Sequence, residues 1–243
     1  MKRIFAAVTM AAAALATFSL AAPSVTSASS HAAAGPAGTV YAKGHAGYTM
    51  SGDGWRFRYI QTTLTVPAAT TRATHAQIAL ANLDWGLSYV YIDVHSGGGP
   101  RSISYGIFGD TAKTFAVTPR AGDQVKISIY YDRATAQNRF TAVDLSTGAK
   151  ATATESYRNA VVDAWVTGSG PAWNLAGSTT PLWAFKDTHL TSYNGTHGAI
   201  LGPWDTYRVF GTRGGTPDGK LVLWPTYPQN NSQDFGIWWR AAT

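Results

Sequence analysis

The chain has 243 residues, a formal net charge of +6 and no cysteine. The absence of cysteine excludes disulfides, a thiol nucleophile, cysteine-ligated zinc and a thiol redox centre. The basic residues are scattered and form no lysine- or arginine-rich run, so a nucleic-acid partner is not expected.

Residues 1–34 have the pattern of a signal peptide and its processing region. Lys2 and Arg3 precede an apolar run over residues 4–22, and small residues follow it. The run is alanine-rich and is followed by proline and small polar residues, so it suits a bilayer span poorly. It also lacks the twin arginine of the alternative export route. We therefore expect a secreted protein with no stable membrane insertion, in which residues 35–243 form one domain.

The remaining sequence has the periodicity of β-strands. Residues 55–67, 88–95 and 121–132 alternate apolar with polar side chains, and residues 139–156 predict a hairpin about the turn 146–148. No sustained apolar pattern with a helical period follows the signal peptide. About a dozen short strands at this spacing predict an all-β fold, a two-sheet antiparallel β-sandwich with little or no helix.

One predicted strand alternates valine and isoleucine with Tyr89, Tyr91 and Asp93, so these three side chains share a face. If Ser102 and Ser104 lie beside them on the next strand, rings and hydroxyls line one surface, which we call the predicted groove. Such a surface suits an extended peptide or a glycan, because rings stack and hydroxyls form hydrogen bonds without charge. The alternative is that the tyrosines only cover a sheet.

Most catalytic signatures are incomplete. The G-x-S-x-G elbow of the α/β-hydrolases fails at Ser169, because Thr167 occupies the first glycine position. His189 and His197 flank a predicted turn and could approach each other, but a solvated pair is the simpler interpretation. Glu155, the only glutamate, lies in a polar connector and suits a solvated surface. We therefore expect no metal site and no cofactor.

Eight short segments occur in the order found in the glutamic peptidases, or eqolisins. The segments are GHAGYT (44–49), TLTVP (63–67), YVYID (89–93), ISYGI (103–107), RAGDQVKISI (120–129), DLSTG (144–148), DAWVTG (163–168) and LWAFKDTHL (182–190). The resemblance spans most of the chain after the signal peptide. It implies a secreted β-sandwich of the concanavalin/eqolisin type with a concave, aromatic-lined substrate cleft.

Single positions both follow and depart from what this family looks like. The matching residues are Ala46, Gly47, Tyr48, Pro67, Ile92, Asp93, Gly106, Gly122, Asp123 and Trp165. His45, Leu64 and Tyr89 stand where the family usually has tryptophan.

The resemblance fails at the catalytic positions. The family uses a glutamine two residues before the glycine matched by Gly106, and a glutamate three residues after the tryptophan matched by Trp165. Those positions hold Ser104 and Gly168 here. A carboxyl must activate water and an amide helps to hold the oxyanion, so the resemblance implies that both catalytic residues are replaced. On this alignment the two positions face each other in one groove, and Ser104→Gln with Gly168→Glu would rebuild the pair.

Three functions therefore stay open. The first is a secreted, catalytically inactive protein whose predicted groove binds an extended peptide or a glycan. The second is a divergent acid peptidase or other hydrolase that uses a recruited carboxyl, with Asp93, Asp110 and Asp163 as candidates. A glycosidase would need two carboxyl groups roughly 5 to 9 Å apart, which only aspartates from different strands could supply. The third is a structural protein of the cell envelope or extracellular space.

Overall fold

A computed structural model of the chain describes residues 38–51, 56–67, 73–82, 87–96, 99–156, 161–169, 182–212 and 214–239. The predicted signal peptide lies outside these ranges. Within them the chain forms strands and turns, and it has no helix that could cross a bilayer. The predicted all-β class is thus confirmed.

Sixteen strands make up the described part of the fold. They are β1 (Gly38–Lys43), β2 (His45–Ser51), β3 (Phe57–Thr65), β4 (Thr74–Asn82), β5 (Leu87–Val94), β6 (Arg101–Ile107), β7 (Lys113–Thr114), β8 (Gln124–Asp132), β9 (Gln137–Asp144), β10 (Lys150–Ser156), β11 (Val161–Ser169), β12 (Trp183–Ser192), β13 (His197–Gly198), β14 (Asp205–Thr212), β15 (Leu221–Pro225) and β16 (Phe235–Trp239).

The strands form one continuous hydrogen-bonded path that folds over on itself. The path runs β10-β9-β8-β3-β12-β16-β15-β14-β2-β11-β4-β5-β6-β7, while β13 pairs with β12 and β1 pairs with β14. All of these pairs are antiparallel except the parallel pair of β1 with β14. Because β3 and β8 pack against β4, β5 and β11, the path makes the two layers of the predicted sandwich.

The hairpin between β9 and β10 forms where the sequence predicted it. Asp144 ends β9, and one of its carboxylate oxygens accepts a hydrogen bond of 2.9 Å from the Ser146 backbone N–H. Its other oxygen accepts a bond of 2.8 Å from the Thr147 hydroxyl. Gly148 completes the turn with a φ of 76°, a conformation that costs glycine little. Side-chain capping and one glycine therefore fix the register of this hairpin.

The main core fills the space between the two layers. Val125, Ile127 and Ile129, apolar residues of the alternating segment 121–132, are fully buried there. Trp183 of β12 is also fully buried, and its indole N–H donates to the Thr74 hydroxyl at 2.9 Å. This bond joins β12 of one layer to the start of β4 in the other.

A second buried cluster covers the other face of the layer that contains β4, β5 and β11. We call this face the second face. Its cluster includes Ala79 of β4, Tyr89 of β5, Trp165 of β11 and Val209 of β14. Trp165 is buried there, on the same face as Asp163 and Thr167. These residues are buried although they lie opposite the main core, so polar groups beside them on the second face are partly shielded from water.

The bond between the layers generates a first prediction. In Trp183→Phe the aromatic packing is largely kept, but the Thr74 hydroxyl loses its buried donor. We expect the free energy of unfolding to fall by about 1–3 kcal/mol, measured by urea denaturation. The matched control is Trp224→Phe, since Trp224 is only half-buried. An equal loss in both variants would contradict the role given to the indole N–H.

Candidate functional site

Strand register lines up two polar rows on the second face. The first row crosses four neighbouring strands and consists of Ser104 of β6, Tyr91 of β5, Gln77 of β4 and Thr167 of β11. The Gln77 side-chain amide donates to the Thr167 hydroxyl at 3.2 Å, and the Ser104 hydroxyl lies 3.4 Å from that of Thr114. The row thus joins hydroxyl groups to a side-chain amide across the layer.

The second row lies one step along the same strands. It consists of Ser102 of β6, Asp93 of β5, His75 of β4, Ser169 of β11 and His45 of β2. The Ser169 hydroxyl lies 2.7 Å from Nδ1 and 2.9 Å from Nε2 of His75. Its position close to both ring nitrogens means that the hydroxyl lies opposite the carbon between them.

Four rings run beside these polar groups in an unbroken series, which we call the aromatic ribbon. Ring centroids are 5.6 Å apart for His45 and His75, 6.2 Å for His75 and Tyr91, and 5.6 Å for Tyr91 and Tyr89. These spacings are typical of interacting aromatic pairs. A Cβ at Gly106 would lie 2.8 Å from the Tyr89 hydroxyl, so glycine at this position lets Tyr89 lie across β6.

The five residues of the predicted groove share the second face, but they are not equally accessible. Tyr89 and Ser104 are only 4% and 5% exposed. Tyr91, Asp93 and Ser102 are half-buried and offer the accessible part of the surface. Their role in binding remains a prediction.

Gly168 faces away from this surface. It pairs with Ala46 of β2 and Ala76 of β4, and a Cβ there would lie 2.9 Å from Cδ1 of Ile237 and 3.0 Å from Cδ1 of Trp183. Gly168 therefore points into the main core. Successive side chains of a strand point to opposite faces, so only Thr167 and Ser169 beside it reach the second face.

The expectation that Ser104 and Gly168 face each other in one groove is therefore wrong. Ser104 lies on the second face, and Gly168 lies under the main core. The double change to Gln and Glu would place the new carboxyl among buried apolar side chains instead of beside the amide. A buried charge without a partner is strongly destabilising.

Burial governs the charge of the two histidines. It lowers the pKa of His45 to about 4. It lowers the pKa of His75 to about 3, with a smaller contribution from His45. Nδ1 of His45 has no hydrogen-bond partner, and this side chain is only 4% exposed. Both imidazoles are therefore neutral over the ordinary pH range.

Burial also favours the protonated form of the acids and phenols. It raises the pKa of Asp93 to about 6, although His95 opposes the shift. It raises the pKa of Tyr89 to about 12, helped by Tyr91 and Asp110. The pKa of Tyr91 is raised by burial and by Asp93, while a hydrogen bond from Ser104 opposes this. These groups of the second face are therefore all mainly neutral between the His45 pKa of about 4 and the Asp93 pKa of about 6.

Ser169 and His75 resemble a nucleophile and its base but lack the rest of a triad. Asp93 is the register neighbour of His75, yet no hydrogen bond joins these two described side chains. A triad acid orients the imidazole and stabilises its charged form. With a pKa of about 3, His75 is a weak base for a serine hydroxyl. The described residues therefore do not complete a Ser-His-Asp triad at Ser169.

The three candidate acids do not form a pair. Asp110 is exposed in the turn after β6. Burial raises the pKa of Asp163 to about 6, and this residue shares the second face with Trp165. Asp163 precedes Ser169 by six residues, or roughly 20 Å of strand, whereas Asp93 lies in the row of Ser169. Asp93 and Asp163, both half-buried, are too far apart for the paired carboxyls of a glycosidase.

Sequence reasoning missed the residues that β4 contributes. His75 and Gln77 alternate with Ala76 and Ile78, and this alternation could have identified a half-polar strand. The alternation alone does not predict that β4 lies between β5 and β11 in the sheet. Across the described ranges, no group of three or more histidine or acidic side chains could hold a metal ion.

The structure is similar to solved structures of eqolisin peptidases. Scytalido-glutamic peptidase with a transition state analog inhibitor aligns at a TM-score of 0.65 and 15% identity, over 82% of this chain and 98% of that chain. SCP-B, an eqolisin in complex with the tripeptide Ala-Ile-His, aligns at a TM-score of 0.60 and 15% identity, again over 82% of this chain and 98% of that chain. Aspergilloglutamic peptidase from Aspergillus niger aligns at a TM-score of 0.52 and 14% identity, over 70% of this chain and 99% of that chain.

At this level of identity the likeness shows a shared fold. The predicted resemblance to eqolisins is therefore confirmed for the architecture. No protein-family model and no curated protein sequence matches the chain.

The packing at Gly168 gives a second prediction. In Gly168→Ala the added Cβ overpacks the core against Ile237 and Trp183, so we expect a loss of about 1–3 kcal/mol in the free energy of unfolding. In the control Gly214→Ala the new Cβ would meet only the Thr216 hydroxyl at 3.5 Å, so a change within about 0.5 kcal/mol is expected. Similar urea midpoints for both variants would show that position 168 has room for a side chain.

Buried neutral His45 gives a third prediction. Its folded-state pKa of about 4 lies below the ordinary value of 6.5, so its contribution to stability is present above pH 6.5 and is lost as the pH falls through 4. By this shift alone, lowering the pH from 7.5 to 4.5 costs about 2 kcal/mol. In His45→Phe this loss is absent, and the difference between urea midpoints at the two pH values becomes smaller.

The control for this measurement is His197→Gln, because His197 is exposed. The contributions of Asp93 and Asp163 to the free energy of unfolding change with pH in the opposite sense, because raised carboxyl pKa values favour the folded state at low pH. Both aspartates are present in all three proteins, so their effect cancels in the comparison. An unchanged pH response in His45→Phe would contradict the assignment.

Proposed function

We propose that this chain is a secreted protein with the eqolisin fold that binds an extended peptide on the second face without cleaving it by glutamic peptidase chemistry. The observation that carries the proposal is the combination of the aromatic ribbon with two polar rows that contain no glutamate. The predicted signal peptide supports secretion.

The proposed lack of glutamic peptidase chemistry is supported by the residues that reach the second face. Ser104 carries a hydroxyl where the family alignment places an amide, and Gly168 carries no side chain and faces the core. Thr167 and Ser169, which flank Gly168, cannot serve as the carboxyl that activates water at acid pH. A peptide bound here would lack the glutamate that supplies proton transfer in glutamic peptidase chemistry.

Binding is supported by the mixed character of the same surface. Tyr91 offers a half-buried ring, Asp93 offers a carboxyl, and Ser102 offers a hydroxyl, all on one face. Extended peptides are recognised by such alternation of apolar and hydrogen-bonding groups. Two solved eqolisin structures contain peptide ligands: scytalido-glutamic peptidase holds a peptide-based transition state analog, and SCP-B holds a tripeptide. A glycan is the other occupant that rings and hydroxyls suit.

One observation favours a second candidate, an acid hydrolase with a recruited aspartate. Asp93 has a pKa raised to about 6, as a general acid needs. Gln77 is its diagonal neighbour on the adjacent strand, a relation that places Cβ atoms within roughly 7–8 Å. A carboxyl and an amide thus lie near each other, although Gln77 already donates to Thr167.

A fourth prediction tests binding. Screened against a library of unmodified decapeptides, the mature protein should bind a subset, detected by fluorescence polarisation. Removing the Tyr91 ring in Tyr91→Ala should weaken the best binder at least about tenfold, because a buried aromatic anchor contributes more than 1 kcal/mol. The control is Tyr227→Ala, which removes a ring that is 51% exposed and lies off the ribbon. Binding of glycans alone, or of no ligand, would favour the glycan or structural alternatives.

A fifth prediction tests catalysis. We expect no cleavage of denatured protein substrate between roughly pH 2 and 5, by wild type or by Asp93→Asn. Circular dichroism at each pH verifies that the protein is folded, since the buried histidines disfavour the folded state in acid. Pepstatin-insensitive cleavage that disappears in Asp93→Asn would establish the hydrolase instead.

A further inference from the structure

A separate pocket lies on the outer surface of the other layer. It has a volume of about 390 Å³, within the range of small-molecule sites. The residues that line it are Arg58, Tyr59, Gln61, Tyr130, His189, Leu190, Thr191 and His197. None of them belongs to the second face, so this pocket is distinct from the proposed peptide site.

Strand register explains why these side chains converge. His197 of β13, Thr191 of β12, Tyr59 of β3 and Tyr130 of β8 form one row across four adjacent strands. In the next row, His189 of β12 lies opposite Gln61 of β3, and both line the same pocket. The two histidines that flank the predicted turn thus contribute to one site.

Hydrogen bonds hold the polar lining in place. The Tyr59 hydroxyl donates to Oε1 of Gln61 at 2.6 Å. The Thr191 hydroxyl lies 2.9 Å from Nδ1 of His197, so this contact fixes the imidazole and engages only one of its two nitrogens. The second nitrogen, Nε2, is not used in that bond. A pocket whose side chains are already oriented loses little conformational entropy when a ligand binds.

The lining has an uneven distribution of charge. Arg58 carries a permanent positive charge, His189 and His197 add two imidazoles, and the lining contains no aspartate or glutamate. Lys126 of β8 and Arg139 of β9 lie on the same outer surface. The carboxylate of Asp132, further along β8, accepts hydrogen bonds from the Ala134 N–H and the Thr135 hydroxyl.

The same lining is suited to a hydroxylated ring. Tyr130 is 37% exposed and presents its ring at the surface. Gln61 and Thr191 supply hydrogen-bonding groups, whereas the only aliphatic lining residue, Leu190, is fully buried. A fatty acid would lack an apolar channel here, whereas a sugar finds rings for its C–H face and partners for its hydroxyls.

We propose that this pocket binds an acidic saccharide, namely a uronic acid unit whose carboxylate pairs with Arg58 and whose ring contacts Tyr59 and Tyr130. A guanidinium binds a carboxylate through two parallel hydrogen bonds, so the charged group orients the sugar. Binding here does not depend on the peptide site, which lies on the other layer.

The test titrates the purified mature protein with sodium glucuronate and with glucose, followed by ¹H–¹⁵N NMR. We expect glucuronate to shift amide resonances of β3 and β12 and to bind at least about tenfold more tightly than glucose, a difference of roughly 1.4 kcal/mol. In Arg58→Gln this preference should disappear. The control Arg120→Gln removes an exposed arginine from a turn outside the pocket and should leave it intact.

A second variant, Tyr130→Ala, keeps the test decisive if Arg58→Gln does not fold. It removes a partly exposed ring and should weaken glucuronate binding while leaving the NMR spectrum folded. Equal affinity for the two sugars, or an unchanged preference in Arg58→Gln, would overturn the proposal. Sodium acetate binding as tightly as glucuronate would also overturn it, because the pocket would then recognise charge without a sugar ring.

Discussion

Burial on both faces of β4, β5 and β11 is the constraint on which the site depends. One face of these strands meets the main core, and the other meets the cluster around Tyr89 and Trp165. Polar side chains set into that second face lose their hydration. Loss of hydration is the first cause of every pKa shift found along the two polar rows, from His75 to Asp93. The result is a surface on which the imidazoles, the phenols and the Asp93 carboxyl all favour their neutral forms.

The alternation of side chains along β11 determines which groups can meet. Thr167 and Ser169 reach the second face, whereas Gly168 between them has to be small because Trp183 and Ile237 occupy the space above it. Close packing of the two layers therefore leaves no room for a catalytic side chain at that position. The architecture is similar to that of the eqolisin peptidases, and position 168 within it offers no side chain to the second face.

The two layers carry surfaces of opposite character. On the second face, burial lowers the pKa of both histidines and raises the pKa of both aspartates. The outer pocket of the other layer carries Arg58 and two imidazoles with no lining acid. Because the two surfaces lie on different layers, the proposed peptide and the proposed acidic saccharide would contact different side chains.

The sequence by itself determined the strands, the hairpin about residues 146–148 and the shared face of Tyr89, Tyr91 and Asp93. These features are local, since period-two alternation and turn residues act within a few positions of the chain. The sequence did not determine which face of β11 turns towards the other layer. Both faces of that strand carry small or apolar groups, so alternation alone is ambiguous.

Only the tertiary structure decided the composition of the site. Pairing placed β4 between β5 and β11, and this brought His75 and Gln77 between Tyr91 and Thr167. Strand order depends on contacts between residues far apart in the chain, which no short segment encodes. The packing of the two layers likewise decided that Ser104 and Gly168 lie on opposite faces, because it turned Gly168 towards the main core.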